Sequence, residues 1–126
     1  MKVNLKQLLR DFDGEILEKP VRTDEKDAQG NSIIGKKKMD LRTICIDALQ
    51  AVYQDEKNLD PEEKMKRFVM AEEIYLADGE MELKDDQVVF LKKMVNKAFP
   101  SPLVYGQVTR ILEGQDPIKK KQKTKP

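Results

Sequence analysis

The chain has 126 residues, of which 24 are basic and 23 acidic, for a formal net charge of +1. This length predicts one domain with a modest core, and it is short for a catalytic domain joined to an accessory module. Histidine is absent, which removes the commonest general base and metal ligand near neutral pH, and the single cysteine excludes an internal disulfide.

The charge is unevenly distributed along the chain. Five of the last eight residues are lysines, namely Lys119, Lys120, Lys121, Lys123 and Lys125. Removing these five from the 24 basic residues leaves 19 against 23 acidic ones, so residues 1–117 carry about −4. We therefore expect a mildly acidic domain over residues 1–114, followed by a disordered basic tail over residues 115–126.

No stretch of the sequence approaches the ~20 apolar residues that a membrane-spanning helix needs. The N-terminus also lacks the apolar segment of a signal peptide. The expected location is therefore the cytoplasm, without membrane contact.

The first twelve residues fit two patterns. Val3 and Leu5 alternate with polar residues, as in a strand. The same stretch also has the spacing of one helical face, formed by Leu5, Leu8, Leu9 and Phe12. Extended structure is favoured slightly, but the pattern leaves both alternatives open.

A glycine turn and a polar segment follow. The pair Asp13 and Gly14 predicts a turn, with residues 16–17 as the return strand of a hairpin. Residues 20–38 are polar and bend near Gly30, which predicts either a long mobile loop or the tip of a second hairpin.

Two helices are predicted next, each from an aspartate at the N-cap. The first begins after Asp40, because its apolar residues recur on one stripe: Leu41, Ile44, Cys45, Ala48, Leu49 and Val52. The second begins at Asp60 and Pro61 and ends at Asp78 and Gly79. Its apolar residues are Met65, Phe68, Val69, Tyr75 and Leu76.

A short extended segment at Met81 to Leu83 separates these helices from two more. The third helix is predicted from about Asp85 to Ala98, with an inner stripe of Val88, Leu91, Val95 and Ala98. The fourth has Ser101 at its N-cap and Pro102 at its first position, stops at Gly114, and carries Val104, Val108, Ile111 and Leu112. Together the elements predict an α+β fold that is mainly helical, with a β-hairpin and loop region over residues 1–39 and a helical core of three to four helices over residues 40–114.

Three features of the sequence suggest a chemical site, but each has a simpler structural role. A calcium loop around Gly14 would place Leu9 and Pro20 at its first and last ligand positions, so it fails at both. The carboxylates of the second helix lack the histidine that carboxylate metal sites in helical bundles use. Cys45 lies on a predicted inner stripe and is expected to be a core residue. We therefore predict no enzyme activity, no catalytic residue, no cofactor and no metal.

Basic residues are the remaining candidate contacts. Lys36, Lys37 and Lys38 and the five lysines of the tail could neutralise phosphates, which gives salt-dependent affinity for DNA or RNA without reading its sequence. No glycine-rich phosphate loop or paired aromatic motif accompanies them. A small regulator that contacts nucleic acid is therefore the alternative function.

Four features together resemble small accessory proteins of tailed bacteriophages. These features are the turn at Asp11 to Gly14, the helix from Leu41 to Leu49, the helix start from Asp60 to Phe68 and the sequence Tyr105, Gly106, Gln107. The resemblance covers most of residues 1–114 and brings no catalytic motif. It implies a non-catalytic adaptor or assembly protein, chaperone-like in tail assembly, that binds a phage or host protein in the host cytoplasm.

Overall fold

The structure is a computed structural model that describes residues 2–51, 53, 56 and 59–118. Within these residues it contains four helices and four strands. In chain order they are β1 (Lys2–Asn4), β2 (Glu18–Lys26), β3 (Ser32–Lys38), α1 (Leu41–Gln50), α2 (Pro61–Leu76), β4 (Glu80–Glu82), α3 (Asp85–Ala98) and α4 (Pro102–Leu112). The predicted α+β, mainly helical fold is confirmed.

The predicted helix starts are correct, although only two of the expected caps bond as predicted. The Asp40 carboxylate accepts a hydrogen bond from the Thr43 amide at 2.8 Å, and the Asp60 carboxylate accepts one from the Glu62 amide at 3.1 Å. Ser101 occupies the N-cap of α4, but its side chain makes no capping hydrogen bond. Helix α2 ends at Leu76, slightly before the predicted stop at Gly79, where φ is +84°.

The N-terminal segment is extended, so the strand alternative is correct for this segment and the helix alternative is wrong. Strand β1 pairs with β4 in an antiparallel sheet, with Val3 opposite Met81. The predicted turn at Asp11 to Gly14 is present, since the Asp11 amide donates to the Glu15 carbonyl at 2.9 Å. After this turn, residues 16–17 pair with residues 9–10, with Arg10 opposite Ile16. They do not pair with β1.

Residues 18–38 form a second hairpin, so the mobile-loop alternative is wrong. Strands β2 and β3 pair from Glu18 opposite Lys38 to Lys26 opposite Ser32, with an irregularity after Arg22. We call this hairpin the β-arm. Its strand β3 is exposed along nearly its whole length, and the Lys19 ammonium ties its base to Asp47 of α1.

One hydrophobic core joins the N-terminal segment to the helices. It contains Val3, Leu5 and Leu9 together with the inner residues of α1, α3 and α4. The first amides of α1 are also satisfied from the N-terminal segment, because Leu41 and Arg42 donate to the backbone carbonyls of Gln7 and Leu5. No described helix is long and apolar enough to cross a bilayer.

Candidate protein-binding surface

Helix α2 has an apolar face that points away from the core. Its buried residues are Arg67, Met70, Ala71 and Ile74. The apolar side chains that identify this helix in the sequence are instead exposed, from 40% for Val69 to 72% for Leu76. They are Met65, Phe68, Val69, Tyr75 and Leu76, and we call them the outer face of α2.

The outer face and the buried residues lie on opposite sides of one helix. Successive residues advance by about 100° around an α-helix, which places the centres of the two groups about half a turn apart. From Met65 to Leu76 the outer face extends roughly 16 Å along the axis, at 1.5 Å per residue. Glu72 is exposed and lies in the middle of this face, a turn from both Phe68 and Leu76.

A shallow depression flanks α2 on each side. The one toward α1, of about 210 Å³, includes Ile46, Phe68 and Tyr75 in its lining. The one toward α3, of about 390 Å³, includes Met65 and Val69. The outer face is therefore a ridge between two grooves, a shape into which the side chains of a second helix can pack.

Several acidic side chains lie in and around the outer face. Glu72 lies within the face, and Glu62, Glu73 and Asp86 line the groove toward α3. None of these four carboxylates makes an ion pair with a described residue. The ammonium of Lys66, which also lines this groove, lies 4.3 Å from the centre of the Phe90 ring. The surface therefore combines exposed apolar groups with an excess of negative charge, three carboxylates against one lysine in the groove toward α3.

A buried ion pair holds the N-terminal half of α2 in place. Arg67 is only 6% exposed, and its two terminal nitrogens donate to the two carboxylate oxygens of Glu56 at 3.1 and 2.6 Å. Lys97 of α3 contacts the same carboxylate at 3.1 Å. These hydrogen bonds, led by those from Arg67, lower the pKa of Glu56 from 4.5 to about 2.

A second arginine holds the other end of α2. The guanidinium of Arg42, on α1, donates to the backbone carbonyls of Ile74, Tyr75 and Ala77. The last carbonyls of a helix have no partner within the helix and carry partial negative charge, so a cation there stabilises the end. The outer face is thus presented by a helix that is fastened to α1 and to α3.

Lys36, Lys37 and Lys38 do not lie on one face of the β-arm. Lys36, Lys37 and Lys38 are all exposed on β3. Because successive side chains of a strand point to opposite faces, Lys36 and Lys38 share one face of the β-arm, and Lys37 shares the other with Lys19. Glu18 lies opposite Lys38. The predicted contacts Lys119, Lys120, Lys121, Lys123 and Lys125 lie outside the described residues.

Cys45 and the possible metal ligands are the other candidates for a chemical site. Cys45 is fully buried, as predicted for a core residue, and burial followed by the charge of Asp40 raises its thiol pKa to about 12. Among the described residues, no group of three histidine, cysteine, aspartate or glutamate side chains could hold a metal ion.

Sequence reasoning found the apolar residues of α2 but not that they point outward. The available signal was a second set of residues on the same helix, Met70, Ala71 and Ile74, which also fits an inner stripe. The charge of Arg67 within that set conceals it, because a buried arginine is rare unless it is paired. Comparisons with protein-family profiles, with curated proteins and with solved structures gave no match for this chain.

Proposed function

We propose that this protein is a small non-catalytic adaptor or assembly protein that binds another protein through the outer face of α2. The observation that supports this proposal is the contiguous set of exposed apolar side chains from Met65 to Leu76. Single exposed apolar residues are ordinary on protein surfaces, whereas a contiguous apolar patch with a polar rim is typical of an interaction site. The resemblance to phage accessory proteins suggests a chaperone-like role in tail assembly, with a phage or host protein as partner.

The energetics of α2 favour this interpretation. Nothing in the packing of α2 requires apolar residues at the outer positions, because Met70, Ala71 and Ile74 already attach the helix to the core. Exposed apolar surface gains about 25 cal/mol per Å² when a partner removes it from water. The outer face therefore offers binding energy that the isolated fold does not use.

Affinity capture from phage-infected host lysate tests the proposal. The bait variants are wild type, Leu76→Glu, and Val89→Glu as a matched control on the exposed side of α3, where Val89 is 66% exposed. We expect a discrete protein partner that survives nuclease treatment, is lost with Leu76→Glu and is kept with Val89→Glu. Capture that survives substitution of the outer face would reject this surface.

The second candidate is a regulator that contacts DNA or RNA. The observation that favours it is the exposure of Lys36, Lys37 and Lys38 on the β-arm. This function predicts that binding falls steeply with salt and that deleting residues 118–126 removes most of it. Binding that is insensitive to salt, or recovery of a protein partner after nuclease treatment, would favour the adaptor instead.

A further inference from the structure

We infer that the partner of the outer face is a basic amphipathic helix, with a lysine or arginine in the middle of its apolar stripe that pairs with Glu72. This inference rests on the proposed adaptor function and adds the chemistry of the partner. It follows from the position of Glu72, the charges around α2 and the shape of the surface.

Glu72 is the strongest constraint on the partner. It lies among Phe68, Val69, Tyr75 and Leu76, and no described cation pairs with it. A partner that covers these four apolar side chains also removes the carboxylate from water, which is unfavourable unless an opposite charge replaces the lost hydration. A purely apolar partner stripe would therefore bind weakly, and an acidic one would be repelled.

The acidic residues at the edge of the surface also favour a basic partner. Glu62, Glu73 and Asp86 all lie along the groove between α2 and α3, which also contains Lys66, whose ammonium lies against the Phe90 ring. A partner helix placed along α2 would bring its flanking residues over this groove. Basic residues at the edge of its apolar stripe would then face three further carboxylates, which raises the association rate as well as specificity.

The shape of the surface favours a helix as the partner. The outer face is a straight ridge of roughly 16 Å, about three helical turns, with a groove on either side. Side chains of a partner helix at i, i+3, i+4 and i+7 can enter these grooves. A second copy of α2 fits less well, because pairing the outer face with itself would bring two Glu72 carboxylates into one apolar interface.

Binding of designed peptides to the full-length protein tests the inference. The probe is a labelled amphipathic helix of about 16 residues with a leucine stripe and a central lysine, beside matched peptides with norleucine or glutamate at that position. Fluorescence anisotropy should show the lysine peptide binding on the order of tenfold more tightly than the norleucine peptide, and the glutamate peptide binding most weakly. Glu72→Lys should reverse this order, and Glu72→Gln should remove the preference for lysine.

The remaining outcomes separate this inference from the adaptor function. One contrary result is an order of peptide affinities that stays the same whichever residue stands at position 72, and another is that no peptide binds at all. Either result would overturn the inference that the partner is a basic helix. If Leu76→Glu still abolished capture from lysate, the adaptor function would stand with a different partner. A dimer in sedimentation velocity that Leu76→Glu dissociates would also overturn the inference, since a second copy would then cover the face.

Discussion

At the scale of single residues, the buried amide of Gln107 fastens the N-terminal segment to α4. Its nitrogen donates to the Arg10 carbonyl at 2.7 Å, and its oxygen accepts from the Arg10 amide at 3.0 Å. A side chain thereby pairs both backbone groups of a residue 97 positions away. The same nitrogen also donates to the Leu103 carbonyl in the preceding turn of α4.

Truncating this amide should destabilise the fold. Gln107→Ala leaves the Arg10 amide and carbonyl without their partner, and each partly buried group loses a hydrogen bond. We expect the free energy of unfolding to fall by about 1–3 kcal/mol in urea denaturation. Gln115→Ala, at an exposed position, is the control and should change it by less than about 0.5 kcal/mol. Equal effects of the two substitutions would contradict this role for Gln107.

The ion pair of Glu56 and Arg67 should make stability depend on pH. The pKa of Glu56 is lowered from 4.5 to about 2 in the folded protein, chiefly by the Arg67 hydrogen bonds. The charged carboxylate therefore contributes its full stabilisation above pH 4.5, and this contribution is lost as the pH falls from 4.5 toward 2.

Thermal unfolding of wild type and Glu56→Gln between pH 7 and pH 2 checks this prediction. Glu56→Gln should be less stable at pH 7, because the buried Arg67 then keeps only the more distant carboxylate of Glu63, 3.5 Å from its Nε, as a countercharge. The difference between the two proteins should shrink as the pH falls below 4.5. A difference that stays constant down to pH 2.5 would show that the carboxylate charge of Glu56 does not stabilise the fold.

At the scale of elements, the β-arm is a two-stranded hairpin whose packing depends on a small residue at Gly35. A Cβ atom added there would lie 2.8 Å from the Cγ2 methyl of Thr23. The hydroxyl of Thr23 donates to the Ile33 carbonyl across the hairpin at 2.6 Å, so this side chain is held in place. A side chain at position 35 would therefore collide with the side chain of Thr23.

Gly35→Ala should loosen the β-arm without unfolding the helices. We expect faster amide hydrogen exchange in β2 and β3, with exchange in α1 and α3 unchanged, because strand β3 lies outside the core. Thr23→Ser removes the methyl but keeps the hydroxyl, so the double variant should recover slow exchange. Failure of Thr23→Ser to rescue Gly35→Ala would exclude the methyl contact as the cause.

At the scale of the whole molecule, the N-terminal segment is part of the main core. Leu5 is almost fully buried beside residues of α1, α3 and α4, and its carbonyl accepts from the first turn of α1. Residues that are far apart in the sequence therefore pack in one hydrophobic core. Such a protein is expected to unfold in a single cooperative transition.

Leu5→Ala tests this cooperativity. The cavity should lower the free energy of unfolding by about 2–5 kcal/mol, and circular dichroism and tyrosine fluorescence should report the same midpoint. Leu76→Ala, which removes an equal number of atoms from an exposed site, should cost less than about 0.5 kcal/mol. Separate midpoints for the two signals would show that the protein does not unfold in a single transition.

Much of this fold follows from local patterns. Asp40 and Asp60 identify two helix starts, and apolar spacing identifies the inner stripes of α1, α3 and α4, because capping and helical periodicity act over a few residues. The pairing of β1 with β4 could not be predicted in this way. It joins segments about 80 residues apart, and no short-range pattern in either segment specifies its partner.

The candidate surface shows the same division. Local sequence patterns predict that α2 is a helix with exposed carboxylates and a set of apolar residues from Met65 to Leu76. Which side of α2 is buried depends on tertiary contacts, because the buried Arg67 needs the carboxylate of Glu56, which lies outside this helix. Glu56 comes from another segment and also contacts Lys97 of α3, and its ion pair with Arg67 is consistent with Met70 and Ile74 facing the core and the outer face facing solvent.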